Sequence, residues 1–157
     1  DKRVRSGRAR TERDIKINKV LVAVDESEGA RRALELAEAL AAPDPDMHLD
    51  LVYVVPIPLL DESQTASFKD ILDMMISDGE DVLTKMEESL GEDVAARTET
   101  LLMTGVNPAT EIIKLTEQRD YDMVVIGNRG LVGLKEYMGS VSHKVLNGTS
   151  LPVLIAR

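Results

Sequence analysis

At 157 residues the chain has the length of one domain, and its 43% hydrophobic fraction supplies enough apolar material for a folded core. It holds no cysteine and only two histidines, His48 and His143, which excludes disulfides, thiolate catalysis, cysteine-ligated metals and a histidine-rich metal site. The formal net charge of −9 is unevenly spread: residues 1–16 carry seven Lys/Arg against three acids, and the remainder carries 12 against 25. An acidic body with one Phe, three Tyr and no Trp offers neither the charge to neutralise a phosphate backbone nor a stacking platform for bases, so no nucleic-acid partner is expected. No apolar run approaches the roughly 20 residues that span a bilayer, and no signal-peptide pattern is present. The expectation is a soluble cytoplasmic protein with no membrane partner.

Residues 1–16 lack hydrophobic periodicity and read as a mobile basic arm, leaving residues 17–157 as the folded domain. The first strand is expected over Ile17–Val24, whose nearly continuous β-branched run suits a strand buried on both faces. Ser27 is placed to cap a helix over Glu28–Ala41, with Ala30, Ala33, Leu34, Ala37, Leu40 and Ala41 on its inner face. After the Pro43–Asp46 turn, His48–Val55 is a second strand, closed by Pro56 and Pro58, with His48 at its rim. Residues 61–91 form a long acidic amphipathic helix in which Phe68, Ile71, Leu72, Met75, Ile76, Val82, Leu83, Met86 and Leu90 recur at core-facing steps. A third strand is expected over Val94–Leu102, a short helix over Ala109–Gln118, a fourth strand over Met123–Ile126, a helix over Ser140–Leu146 and a last strand over Leu151–Ala156. Strand and helix alternate, which predicts an α/β domain built on a parallel sheet.

Two stretches compete for the ligand position that such sheets present beyond the carboxyl ends of their strands. One is Asp25, directly after the first strand. The other begins at Gly127, after the fourth strand, where glycines recur at 130, 133 and 139 before the helix at Ser140. A glycine-punctuated loop running into a helix N-terminus is suited to an anion, because backbone N–H groups can approach it and the helix end carries partial positive charge. The loop on its own is equally an ordinary strand-to-helix connection. If the first and fourth strands are neighbours, the carboxylate and the glycine loop line one crevice.

These residues together resemble the universal stress protein family. The resemblance runs from Ile17 to Arg157 and rests on V-L-V-A-V-D-E-S at 20–27, L-V-Y-V-V-P at 51–56, G-V-N-P at 105–108, Y-D-M-V-V-I-G-N-R-G at 121–130, G-S-V-S-H-K-V at 139–145 and L-P-V-L-I-A at 151–156. It implies a five-stranded parallel sheet in the order 3-2-1-4-5 with helices on both faces, a Rossmann-like three-layer sandwich. It also implies a homodimer through the last strand, using Val153, Leu154 and Ile155.

The family has members that bind ATP and members that do not, and the binders carry G-x-x-G, nine residues, then G-[ST]. Carried over, Gly127 and Gly130 match the first half, and Gly139 with Ser140 the second. The resemblance then implies ATP, or ADP or AMP, with Mg²⁺ held through the phosphates. Ser140, Val141 and Ser142 offer N–H or hydroxyl groups to the phosphates, Asp25 meets the ribose, and the Val54 backbone reads the adenine edge beside Ala23 and Val24. Arg129 either pairs with a phosphate or faces solvent. One departure stands out: only eight residues, Leu131 to Met138, separate Gly130 from Gly139, a deletion that would turn a helix by about 100° unless the loop absorbs it.

The leading expectation is a nucleotide-binding stress-response regulator with at most slow ATP hydrolysis and no dedicated catalytic residues. The alternatives are a nucleotide-free dimer acting through protein contacts and a regulatory domain of a longer protein, the latter suggested by a chain that does not begin with Met. An enzyme of the wider adenine-nucleotide α-hydrolase-like group is disfavoured, because the first strand runs into V-D-E-S rather than a serine- and glycine-rich phosphate loop.

Overall fold

The computed structural model describes residues 16–128 and 139–157. The basic arm up to Ile15, and Arg129, Gly130 and Leu131–Met138 of the glycine loop, lie outside the described residues. Among the described residues ten elements follow in chain order: β1 (Lys19–Ala23), α1 (Glu28–Ala41), β2 (His48–Pro56), α2 (Glu62–Glu88), α3 (Glu92–Ala95), β3 (Thr98–Gly105), α4 (Pro108–Gln118), β4 (Met123–Gly127), α5 (Ser140–Gly148) and β5 (Val153–Ala156). The strands form one sheet in the order β3-β2-β1-β4-β5, and every pairing is parallel. This is the expected topology.

The sheet is buried on both faces, as its near-continuous apolar strands require. Along β2, Leu49, Leu51, Tyr53 and Val55 join the core on one face with Val20, Val22 and the inner sides of α1 and α2. Val52 joins the other face with Leu21, Val124, Ile126 and residues of α4 and α5. Val20, Leu21, Val22, Leu51, Val124 and Val125 are each 0% exposed, and full burial of such a side chain is worth about 1.5–3 kcal/mol.

Helix α1 has the bounds read from its sequence. Ser27 caps it, accepting from the Ala30 N–H at 3.1 Å, and Gly29, Ala30, Ala33, Leu34, Ala37 and Ala41 are buried. Leu40, expected on the inner face, is exposed; at about 100° per residue it sits roughly 80° from Ala30, at the margin of the stripe. The Arg97 guanidinium closes the other end of α1, donating to the carbonyls of Ala41, Asp44 and Met47 and so occupying acceptors that a helix terminus leaves open.

The start of β3 differs from the sequence reading. Val94, expected to open the strand, lies in α3, where the Ala95 and Ala96 N–H groups return to the Gly91 and Glu92 carbonyls. Val94 is buried as a helical residue, and the strand starts at Thr98 because β2 pairs with it residue for residue, Leu49 with Thr98 through Pro56 with Gly105. The long helix α2 begins at a capping box between Asp61 and Gln64. Its second half packs on the sheet, whereas Ile71, expected in the core, is half exposed, as is Met74.

Smaller shifts have local causes. β1 starts at Lys19 rather than Ile17 because the Asp122 carboxylate takes the N–H groups of Asn18 and Lys19, each at 2.9 Å. Helix α4 gains Pro108 at its first turn, where the missing N–H costs nothing. Helix α5 runs through Asn147 and Gly148 instead of stopping before them, and β5 is confined to Val153–Ala156.

Asp50 is a buried carboxylate at the amino-terminal side of the sheet, accepting from the Tyr121 hydroxyl, with Arg119 Nη1 3.9 Å away. Lys19 Nζ lies 5.0 Å above the Tyr121 ring. Burial pushes the Tyr121 phenol above its ordinary range, and the hydrogen bond and negative charge of Asp50 add to it. Replacing Tyr121→Phe strands the buried carboxylate and is expected to cost about 1–3 kcal/mol in urea denaturation. A raised folded-state pKa means that the tyrosine's contribution is complete below the unfolded value near 10 and fades as pH climbs beyond it. The variant should therefore lose less stability than the parent on going from neutral to strongly alkaline buffer.

Candidate functional site

Strands β1 and β4 are neighbours, with Val20 opposite Met123 and Ala23 opposite Ile126. The chain moves from β1 outward to β2 and β3 and then returns to the other side of β1 as β4, so the switch point of strand order lies between them, where a crevice opens beyond the strand ends. The crevice encloses about 460 Å³, a volume in the range of small-molecule sites. Ala23, Val24, Asp25, Val54, Gly127, Gly139, Ser140, Val141 and Ser142 all line it. The folded chain thus brings together every described residue expected at the nucleotide, while Val153, Leu154 and Ile155 lie on β5 away from the crevice lining; Arg129 and Gly130 lie outside the described residues.

The β1–α1 turn is held by its own side chains. Asp25 Oδ1 accepts the Ser27 N–H at 2.8 Å, and Ser27 Oγ in turn caps α1, an Asx turn leading into an N-cap. One carboxylate oxygen of Asp25 is thereby committed to the backbone, and Asp25 remains half-buried at the crevice wall.

The β2 wall follows from hydrogen-bond parity. Even-numbered residues of β2 face β1, as in His48 N–H to the Asn18 carbonyl and Val24 N–H to the Val52 carbonyl; odd-numbered residues face β3, as in Leu49 N–H to Arg97 and Ile57 N–H to Gly105. β1 ends at Ala23. Val54, next along the even-numbered edge, therefore turns its N–H and C=O toward the space beyond the end of β1, which is the crevice.

Gly127 and α5 form the opposite wall. A Cβ on Gly127 would stand 2.5 Å from the Gly29 carbonyl carbon and 2.6 Å from its oxygen, so this glycine is required for the close approach of β4 to α1. No glycine among the described residues has a positive φ; space, not backbone conformation, is what Gly127 provides. Ser142 is buried, and its hydroxyl donates to the Gly127 carbonyl, tying the first turn of α5 to the end of β4. Its amide, rather than its hydroxyl, is what Ser142 has to offer a ligand.

The N-cap of α5 is Gly139, which has no side chain to satisfy the helix end. The first intrahelical bond is His143 N–H to the Gly139 carbonyl at 2.9 Å, so the Ser140, Val141 and Ser142 amides precede it and, among the described residues, are the open donors of the helix terminus. The start of α5 is tied to the sheet by backbone hydrogen bonds. Asn128 donates its N–H to Ala156, and its carbonyl accepts the Gly139 N–H at 2.6 Å, so both ends of the intervening segment are pinned together.

Among the lining residues that the sequence reading did not assign to the site are Glu26, Tyr53, Met75 and Asp78. Tyr53 has the alternation of a core residue, and only its position beside Val54 hinted at a site. Met75 and Asp78 belong to α2 and reach the crevice through packing. The Tyr53 hydroxyl donates to Glu26 Oε1 at 2.8 Å. Burial raises this phenol well above its ordinary range, and the Glu26 hydrogen bond and the charges of Glu26, Asp25 and Asp78 raise it further. One wall of the crevice is thus rich in carboxylates and the other ends in open amides. Among the described residues no group of three or more His, Asp or Glu is arranged to hold a metal ion, and no helix is long and apolar enough to cross a membrane.

A doubly wound parallel α/β domain with its crevice at the switch point is the class that this geometry defines. The chain belongs to the universal stress protein family, whose family model matches residues 16–157. It is 32% identical over 157 residues to universal stress protein YxiE of Bacillus subtilis, an alignment covering 89% of this chain and 99% of the relative. Among solved structures, universal stress protein UspA from Lactobacillus plantarum superposes with a TM-score of 0.82 at 20% identity, covering 92% of this chain and 100% of that one. A universal stress protein family protein from Arabidopsis thaliana with AMP bound superposes with a TM-score of 0.58 at 21% identity, covering 88% and 90%.

Substituting Gly127→Ala places a methyl group against the Gly29 backbone, which cannot withdraw as a flexible side chain would. The expected loss is about 1–3 kcal/mol of stability, read from the midpoint of chemical denaturation.

Proposed function

We propose that this chain is an adenine-nucleotide-binding universal stress protein that acts as a regulator. The observation that carries the reading is the pairing, across one crevice, of the open Ser140–Ser142 amides with the Asp25 carboxylate and the free edge of Val54. Phosphates meet the α5 terminus, where unpaired N–H groups and the helix dipole favour negative charge. The ribose hydroxyls donate to Asp25, and the adenine edge takes the N–H and C=O of Val54 beside Ala23 and Val24. ATP, ADP and AMP share these features, and Mg²⁺ accompanies the phosphates of the longer ones. The AMP held by the Arabidopsis relative supports an adenine nucleotide as the ligand class. Arg129 and Gly130 belong to the proposed phosphate end by the family pattern.

The regulator acts in this reading with at most slow hydrolysis, since the α5 amides bind charge without supplying a base. It works as a cytoplasmic homodimer joined through β5. Val153 and Ile155 alternate with Pro152 and Ala156, whose carbonyls accept from Val124 of β4 and from Asn128 just beyond it. Their own N–H and C=O groups consequently point to the outer edge of the sheet, and Val153, Leu154 and Ile155 are only half-buried, which is the condition under which an edge strand recruits a second copy.

Calorimetric titration with ATP, ADP and AMP, with and without Mg²⁺, tests the ligand. Asp25→Ala is expected to weaken binding about ten- to hundredfold, the loss of hydrogen bonds to a charged acceptor. Absence of binding to the parent protein at millimolar nucleotide overturns the reading in favour of a nucleotide-free module. The assembly is tested separately by light scattering. Ile155→Pro removes an outward N–H while sparing the β4 ladder, and it should convert a dimer into a monomer with the crevice intact.

A further inference from the structure

Asp25 sits in the turn between β1 and α1, and a chain of contacts starting on α2 reaches the residue beside it. Gly79 of α2 is buried, and a Cβ there would stand 3.0 Å from Tyr53 Cδ1 and Cε1 and 2.8 Å from Leu102 Cδ1. The absence of a side chain at Gly79 is what seats the Tyr53 ring beneath the helix. From that seat the Tyr53 hydroxyl reaches Glu26 Oε1 at 2.8 Å. Glu26 is an exposed carboxylate between Asp25 and Ser27, close enough to Tyr53 that it, Asp25 and Asp78 all act on the phenol. The hydrogen bond to Tyr53 ties the exposed Glu26 side chain, and with it the Asp25–Ser27 turn, to β2. Asp25 Oδ1 is already occupied by the Ser27 amide, so the direction of its remaining oxygen depends on where that turn is held.

We propose that Tyr53 is a positioning residue: by tethering Glu26 to β2 it holds the Asp25–Ser27 turn so that the free oxygen of Asp25 faces the ribose hydroxyls of a bound nucleotide. The inference rests on the nucleotide reading above and adds to it a crevice-lining residue that acts on the ribose through Glu26 and Asp25. It makes the affinity contributed by the ribose hydroxyls depend on a phenol and on the carboxylate next to Asp25 in the chain.

The test pairs a protein change with a ligand change. Tyr53→Phe keeps the ring under Gly79 and removes only the hydroxyl. ATP and 2′,3′-dideoxy-ATP, each with Mg²⁺, are titrated against the parent and the variant. The expected result is a weakening of about five- to tenfold for ATP on Tyr53→Phe, the size of one hydrogen bond, and no change for the dideoxy ligand. Glu26→Ala should reproduce this pattern, and the double variant should lose nothing beyond either single change. Equal losses for both ligands would mean a general loosening of the crevice, and no loss for either would mean a tether without consequence; each overturns the inference while leaving the nucleotide reading in place. A parent protein that binds neither ligand overturns both.

Discussion

The contact on which the site depends is the approach of Gly127, at the end of β4, to the Gly29 backbone in the first turn of α1. No side chain fits between them. That closeness sets two elements side by side that are far apart in the chain: the β1–α1 turn bearing Asp25, and the first turn of α5, which Ser142 ties to the Gly127 carbonyl. The crevice is the space left above this contact. Its amide wall and its carboxylate wall belong to crossovers on opposite sides of the switch point, and only the adjacency of β1 and β4 makes them one site.

The site is built mostly from backbone. Val54 contributes a strand edge left open because β1 stops one rung earlier, and α5 contributes amides left open because Gly139 cannot cap them. Such groups are fixed by the sheet and the helix and require little reorganisation when a ligand arrives. Side chains set the orientation around them. Asp25 and Ser27 hydrogen-bond within the β1–α1 turn and cap α1, Glu26 between them bonds to Tyr53 of β2, and the far end of the molecule has its own set around Asp50, Tyr121 and Arg119. Both place a tyrosine hydroxyl on a carboxylate, the arrangement that lets a polar group remain buried at little cost.

The chain length between Gly130 and Gly139 is one residue short of the spacing that the resemblance implies. Spacing would govern the position of α5 if the loop alone delivered it. Here Gly139 is bonded to the Asn128 carbonyl, and Asn128 is bonded to β5, so the helix terminus is referenced to the sheet.

Much of this was legible in the residues alone. The bounds of α1 follow from Ser27 and an alanine-rich stripe of period 3.6, the identity of β4 follows from Met123–Ile126, and the parallel α/β class follows from alternation, because these signals act over a few neighbouring residues. The candidate residues from Ala23 to Ser142 were legible as two separate stretches plus a resemblance. Tertiary structure decided what depends on partners distant in sequence. It placed Val94 in a helical turn because β2 pairs with Thr98 onward, and it left Ile71 half exposed at the margin of the α2 stripe that packs through Leu72, Met75, Ile76 and Leu83. It also gave Gly127 a packing role in addition to its place in the loop. Tyr53, Glu26 and Asp78 became one wall of the crevice for the same reason: a pattern of spacing records which face a residue turns, and only the packed fold determines what that face meets.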